Sequence, residues 1–312
     1  MRGPSWAMVA TALAAWVLTG CADSAGSTSA PHATSPTASA SADRAPSSAA
    51  ALPSAPHAPR APSPCPADMV LASGAYCPRV KHRCLRHSRA YESEQRARRR
   101  ARQSGRERKD RPVVEICEVY REPASCISEA RRPLRFCMDR HEWPGKTGIE
   151  PTMLVSWTEA RAHCRSVGKR LCTADEFNFA CEGEEMRPYS YGFIRDAKVC
   201  NQDKPYITPN RQLMPHDHCE KSIPCRRERD RIDQREPIGE RAQCGSPFGA
   251  LDLNGNMNEW VVRPDQEAPW RSGLKGGWWG PARSRCRPMV IAHDENYVGY
   301  EVGFRCCQDA RR

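Results

Sequence analysis

The chain has 312 residues, a formal net charge of +11, 17 cysteines and 27 prolines. So many cysteines argue against a reducing compartment, and no CxxC pair at zinc spacing is present to make metal thiolates of them. The basic excess sits mainly between Arg79 and Arg135 and between Arg226 and Arg241; on an exported chain it suits anionic envelope polymers, lipid headgroups or plain solvated loops better than nucleic acid.

Residues Ala7 to Gly20 form an apolar, small-residue run, with Arg2 the only charge before it. The run is shorter than the roughly 20 apolar residues a bilayer span requires and reads as a secretory signal. It ends Leu18-Thr19-Gly20-Cys21, which resembles a bacterial lipobox, in which the cysteine is diacylated and becomes the mature N-terminus. Cys21 is therefore the expected lipidation site, and more than one acyl chain gives a stable membrane anchor. The alternative is a plain signal peptide with an accidental cysteine. Ala22 follows in place of Asp, which directs the expectation to the outer rather than the inner membrane of a cell envelope. From Ala22 to Pro64 nearly every residue is Ala, Ser, Pro or Thr. Such a segment cannot bury enough apolar surface to fold, and at about 3.1 Å per residue it is expected to be a tether reaching on the order of 100 Å. The expected layout is a signal and lipobox over 1–21, a tether over 22–64 and one domain over 65–312. The cysteines from Cys65 onward are even in number, which fits complete pairing.

The domain opens with Cys65 and a short apolar run ending near Gly74, read as a strand. From His87 to Arg111 the chain is dominated by Arg, Glu, Gln and Ser without an apolar stripe of helical period. A solvated helix and a disordered insertion both fit, and a loop insertion, spanning about 85–133 with its flanks, is the expectation. Val113 to Val119 and Leu134 to Met138 read as strands, and Pro144-Gly145 as a turn. Ser156 with Glu159 forms a capping box, so a helix is predicted over 157–167 with Trp157, Ala160, Cys164 and Val167 inward and Gly168 as its stop. Thr173 with Glu176 forms a second capping box, predicting a helix to Cys181 or Glu182 with Phe177, Ala180 and Cys181 inward. The remainder is turn-rich, with short strands at Lys275 to Trp279 and Val302 to Cys306. The fold class is α+β, loop-rich and disulfide-rich, with two short helices and short strands.

An ordered set of short motifs runs through this domain. It comprises Val155-Ser156-Trp157 with Glu159-Ala160, then Cys164, then Gly168-Lys169-Arg170-Leu171 with Thr173, Glu176 and Phe177. It continues with Phe248-Gly249, Leu251-Asp252, Gly255-Asn256, Glu259-Trp260, Lys275-Gly276-Gly277 and Gly303-Phe304-Arg305-Cys306. Together these resemble the formylglycine-generating enzyme family, also called sulfatase-modifying factors. The resemblance covers roughly residues 65–312 apart from the Arg-rich insertion. It implies a fold related to C-type lectins, with bound calcium, and oxidation of a cysteine in a partner sulfatase by copper held on two cysteine thiolates, soft ligands suited to Cu(I).

This chain departs from that pattern at the copper site. The two positions that carry the thiolates in the family are Pro281 and Cys286, and proline cannot ligate copper. The Ser of the family's oxygen pocket is Trp278, and a Trp expected after Gly255-Asn256 is Asn258. Cys286 is thus expected in a disulfide, its role as a catalytic thiol being the doubtful alternative, and copper is not expected. The calcium site that the resemblance implies keeps its charged members: the side chains of Asp252 and Glu259, with the carbonyls of Gly255 and Met257. Carboxylates mixed with carbonyls and water suit calcium, which takes six to eight oxygens; a turn in which both carboxylates merely cap backbone donors is the alternative. A second family calcium site would begin at Asn201 and Gln202, but its other ligands do not match between Lys204 and Pro237. The family pairing also implies a Cys164–Cys306 disulfide. The family's second pair would use Cys181, whose partner position is Ile291, so Cys181 pairs elsewhere, with Cys172, Cys200, Cys286 or Cys307. Among the histidines, His216 and His218 flank Asp217 in a loop and form the one candidate metal pair, against ordinary exposed histidines.

Two functions follow. The first is an envelope lipoprotein, monomeric, anchored through lipid, with a calcium-stabilised domain that binds an envelope polymer or an exported protein and no nucleic acid. The alternative is an oxidoreductase on the same scaffold with altered chemistry, in which Trp278 and Trp279 line a cleft.

Overall fold

The computed structural model describes residues 63–106, 114–215, 218–219, 221–281 and 283–312. The signal run, Cys21, the tether as far as Pro62, His216 and Asp217 lie outside the described residues. Among those described, the elements in order are β1 (Met69–Tyr76), β2 (Val80–Lys81), β3 (Cys84–His87), α1 (Arg89–Gln103), β4 (Cys117–Tyr120), β5 (Ser125–Cys126), β6 (Arg132–Asp139), α2 (Trp157–Ser166), β7 (Arg170–Leu171), α3 (Ala174–Glu182), α4 (Ile223–Ile232), β8 (Asn258–Val262), β9 (Ser272–Lys275), β10 (Val302–Gly303) and β11 (Cys306–Asp309). One sheet is antiparallel in the order β1-β6-β11-β7, and a second runs β10-β8-β9 with β10 parallel to β8. Short strands, helices, long connections and eight disulfides among the described residues make this the expected α+β class. No described helix is long and apolar enough to cross a membrane.

Both predicted helices form where their caps place them. In α2 the Ser156 hydroxyl accepts from the Glu159 N–H while the Glu159 carboxylate accepts from the Ser156 N–H at 2.9 Å. Trp157, Ala160 and Cys164 are buried at helical spacing. Val167, expected on the same face, is 49% exposed. It is the C-cap, with φ −109°, so its side chain leaves the helical stripe. The Trp157 indole donates to the Val261 carbonyl at 3.0 Å and the Trp260 indole to the Val155 carbonyl at 2.8 Å, which pins α2 against β8. In α3 the box of Thr173 and Glu176 is likewise complete, and every residue from Glu176 to Glu182 is buried. A helix buried on all sides occupies the middle of a core and not its rim.

Three expectations are corrected. The Arg-rich stretch is not a plain loop insertion: α1 forms within it, capped by Ser88, with no buried residue. Pairs of Glu92 with Arg96 and Glu94 with Arg98, each four apart, support it, and the Cys84–Cys117 disulfide closes its base. The strand expected from Lys275 ends there instead, because Gly276 and Gly277 take φ of 83° and 82°. The strand expected over 302–306 is split into β10 and β11, because Phe304 and Arg305 turn into the core. A fourth helix, α4, carries Cys225, Glu228 and Ile232 on its buried face.

The neighbouring Cys306 and Cys307 show how the core is stapled. Successive residues of a strand face opposite sides of a sheet. Cys306 accordingly bonds Cys164 in the cluster containing Trp157 and Trp260, and Cys307 bonds Cys172 in the cluster containing Phe177 and Phe179. The Cys164–Cys306 bond spans 142 positions. Because Cys172–Cys307 stays closed, the loop that this bond closes in the unfolded chain shrinks to about ten residues, so Cys164→Ala with Cys306→Ala should lower stability by about 2–3 kcal/mol in urea unfolding.

Candidate functional site

The segment from Phe248 to Trp260 passes through the middle of the domain. Phe248 packs against the cluster of Phe177 and Phe179, and Ala250, Leu253 and Met257 are fully buried. The Leu251 N–H donates to the Arg140 carbonyl at 2.8 Å, and the Asp252 N–H to Cys244 at 3.0 Å. Asp252 and Asn256 take left-handed φ of 59° and 53°, a region Asp and Asn enter more readily than other non-glycine residues. At Gly255 φ is 81° and a Cβ would lie 2.3 Å from the Asn201 carbonyl oxygen, so only glycine fits. Asn256 is the hub. Its N–H donates to the Asn201 carbonyl at 2.8 Å, its amide Nδ2 to Glu142 Oε2 at 2.7 Å, and its Oδ1 accepts from Asn201 Nδ2 at 2.9 Å.

Three buried carboxylates collect behind this loop: Glu142, Asp252 and Glu259, at 1%, 4% and 1% exposure. One guanidinium, Arg305, lies among them, donating to Glu259 through Nε at 2.7 Å and Nη2 at 2.6 Å. Nearby Glu236 and Arg241 satisfy each other, as do Asp139 and Lys169. Burial pushes the Asp252 carboxyl up from 3.8 to about 7, partly offset by Arg305 and reinforced by Glu259. Burial, then Asp252 and Glu259, push Glu142 well above the carboxylate range. Burial raises Glu259 too, with Arg305 opposing. Glu142 Oε1 is buried without a hydrogen-bond partner among the described residues. The cluster is therefore short of positive charge, and its atoms are all oxygens, the donor set of a hard cation.

The fit to the ligand set implied by the resemblance is partial. Asp252, Gly255 and Met257 stand together in the loop, but Glu259 gives both carboxylate oxygens to Arg305. Glu142, which the sequence reading passed over, takes its place beside Asp252. Among the described residues, the His, Cys, Asp and Glu group whose ligand atoms lie within 4.8 Å of one another is Cys84, His87 and Glu115, and Cys84 is already bonded to Cys117. Glu142, Asp252 and Glu259 form no such trio, so a cation behind the loop would need main-chain carbonyls as well. Asn201 and Gln202 are brought against the same loop, at 1% and 2% exposure, with Oδ1 and Oε1 unpartnered among the described residues. The stretch meant to complete a second site instead carries an ammonium: Lys204 Nζ donates to the Gln234 carbonyl at 2.8 Å and to Glu236 at 3.0 Å. His218 has Nδ1 2.7 Å from the Leu154 carbonyl and Nε2 3.2 Å from Glu159.

At the position of the copper chemistry the arrangement is different. Cys286 is fully buried and bonded to Cys181, one of the partners open to Cys181, so the disulfide expected of Cys286 is present and the doubtful catalytic thiol is not. Its former partner position is Pro281. Trp279 is fully buried and packs with Trp278 and Tyr300 in the cluster of Met257 and Tyr300. Trp278 is only half-buried, its ring against Trp279, Tyr300 and the exposed Tyr206, so of the two tryptophans expected to line a cleft only Trp279 is enclosed in the core.

Residues 135–310 match the sulfatase-modifying factor enzyme 1-like domain. Over 216 residues the chain is 27% identical to the Bos taurus protein named inactive C-alpha-formylglycine-generating enzyme 2, covering 62% of this chain and 57% of that one. Over 185 residues it is 26% identical to the Mus musculus protein of the same name, covering 52% and 50%. The chain thus spans about half the length of the curated relatives it matches. Among solved structures, CarF is similar at a TM-score of 0.47 and 13% identity, covering 78% of this chain and 98% of that one.

Proposed function

The chain belongs to the sulfatase-modifying factor enzyme 1-like family, and from that premise we propose that it is a non-oxidase member, a calcium-stabilised binding domain on an envelope lipoprotein. The observation that carries this reading is the Cys181–Cys286 disulfide, with proline at the other ligand position, Pro281: no pair of thiolates is left for copper. The names of the two curated relatives, both called inactive, agree with it. The alternative, an oxidoreductase with altered chemistry, gains nothing from Trp279, which packs into the core.

In this proposal Asp252 and Glu142 hold a calcium ion with the carbonyls of Gly255 and Met257, and the ion supplies the positive charge the buried carboxylates lack. Glu259 keeps Arg305 in place, and Asn256 orients Glu142 through its amide. Lipid on Cys21 would anchor the domain to the envelope, and the tether would let it reach an envelope polymer or an exported protein. The test is titration with Cu(I) followed by incubation with a peptide carrying a sulfatase motif. Neither stoichiometric copper binding nor formylglycine product is expected. Either one would overturn the reading.

A further inference from the structure

Two surface cavities, of about 480 Å³ and about 350 Å³, lie at the end of the sheet β1-β6-β11-β7 where β1 begins and β6 ends. Lys169 and Gln308 wall both, so the two form one groove. Asp68, His141, Trp143 and Val167 belong to the larger part, and Arg170 and Asp309 to the smaller. Every residue of these walls is described, and both volumes lie within the range of ligand pockets.

The charges around the groove satisfy one another. Lys169 donates to Asp139 at 2.6 Å and also to Asp68. Arg170 donates to Glu176 at 2.7 and 2.8 Å and to Asp309 at 2.8 Å. Four carboxylates (Asp68, Asp139, Glu176, Asp309) thus meet two cations, so the groove has no share in the basic excess of the chain and does not attract a polyanion. The carboxylates at its rim, Asp68 and Asp309, have side chains 62% and 90% exposed. Ion pairs that open to water contribute little, so a polycation gains little there either.

What remains for a ligand is neutral. The Trp143 indole N–H and the Gln308 carboxamide are on half-buried side chains with no hydrogen-bond partner among the described residues, unlike the indoles of Trp157 and Trp260. The Trp143 ring is fixed in advance, stacked on Phe304 with centroids 5.4 Å apart, so little ordering entropy is lost when a ligand arrives. Val167, turned out of the buried stripe of α2, adds a second apolar surface to the same part of the groove. A fixed aromatic beside an amide that both donates and accepts suits a sugar ring, whose C–H face is apolar and whose edge carries hydroxyls. An extended peptide needs a row of pockets for alternate side chains. Prolines aside, the large apolar side chains of these walls are Trp143 and Val167, both in the larger part, so that row is missing.

We propose that this groove binds a saccharide chain, neutral and bearing hydroxyl and amide groups, with one ring against Trp143 and the next bonded by Gln308. The proposal rests on the reading of the domain as a binder of an envelope polymer and names the polymer's class and its seat. The test is calorimetric titration of the full chain with chitohexaose, a neutral hexasaccharide with hydroxyl and acetamide groups, and with polylysine and dextran sulfate as charged probes. Chitohexaose should saturate with a Kd on the order of 100 μM, unchanged between about 50 and about 500 mM salt because no ion pair forms. Gln308→Ala should weaken binding about fivefold and Trp143→Ala at least about tenfold. Trp143 also supports Phe304, so Gln308→Ala, which removes an amide bonded to no described neighbour, keeps the test valid if Trp143→Ala misfolds. Trp270→Ala, at a 48% exposed tryptophan outside both cavities, should bind as the wild type does. No saturation below about 5 mM, equal binding by Gln308→Ala, or capture of a charged probe in place of chitohexaose would overturn the proposal. Such a failure without copper binding removes this site alone and leaves the non-oxidase reading standing, whereas copper binding overturns that reading whatever the saccharide result.

Discussion

Arg305→Met is expected to cost at least about 3–5 kcal/mol, because it leaves buried carboxylates without their counter-ion. Arg305 is 1% exposed and bonds both oxygens of Glu259, while Glu142 and Asp252 lie close enough to raise its own affinity for protons. In the calcium-free protein, removing it leaves all three buried carboxyl groups without a cation. Glu259→Gln is the informative contrast. It deletes one negative charge of the three and leaves Arg305 with two, so the loss should be only about 1–3 kcal/mol, the scale of hydrogen bonds to a charged group. Urea unfolding followed by tryptophan fluorescence measures both. Equal losses would mean that Arg305 serves Glu259 alone and that Glu142 and Asp252 are compensated in another way.

Between pH 8 and pH 9.5 the domain is expected to gain about 2 kcal/mol of stability, from Lys275. Lys275 is buried, donating to the carbonyls of Arg287 at 2.9 Å and Pro288 at 3.3 Å. Burial, then Arg287, lower its pKa from 10.5 to about 7, with Glu182 opposing. The folded pKa lies below the unfolded one, so between about 7 and 10.5 the unfolded chain binds more protons. Stability therefore rises with pH through that window, and the penalty of the buried charge is in full force only below about 7. Glu182 has the opposite sign: burial raises its carboxyl from 4.5 to about 7 against the pull of Arg287, so its contribution falls as pH rises from about 4.5 to 7. Above pH 8 the lysine acts without it. Lys275→Met should abolish the rise, and a wild-type profile flat from pH 8 to 9.5 would show that the ammonium finds charge compensation inside the fold.

Much of the architecture could be read from local chemistry. The capping boxes at Ser156 and Thr173 located α2 and α3 because cap geometry is set by residues three apart. The Cys164–Cys306 pairing followed from resemblance and not from spacing. α4 was missed although Ser222, Pro224 and the seven-residue spacing of Cys225 and Ile232 mark a helix start and face, because its Arg-rich exterior hides a narrow buried stripe. α1 was hidden for the same reason, with no buried residue at all. The carboxylate cluster was half legible. Asp252 and Glu259 stand in one motif, whereas Glu142 comes from the end of β6, more than a hundred positions away, and only tertiary packing brings it to Asn256. That Glu259 would be claimed by Arg305 is likewise a long-range fact: the motif Gly303-Phe304-Arg305-Cys306 shows an arginine between two strand ends, but not which carboxylate it meets.

The most direct measurement is thermal unfolding of the wild type and Asp252→Asn at pH 7.5, after stripping with chelator and after adding calcium. The account predicts that calcium raises the wild-type midpoint by several degrees, as any ligand of the folded state alone must, and leaves Asp252→Asn unmoved. A wild-type midpoint indifferent to calcium, or a variant that responds as the wild type does, would contradict the cation clasp and leave protonation of Glu142 and Asp252 as the way the cluster is balanced.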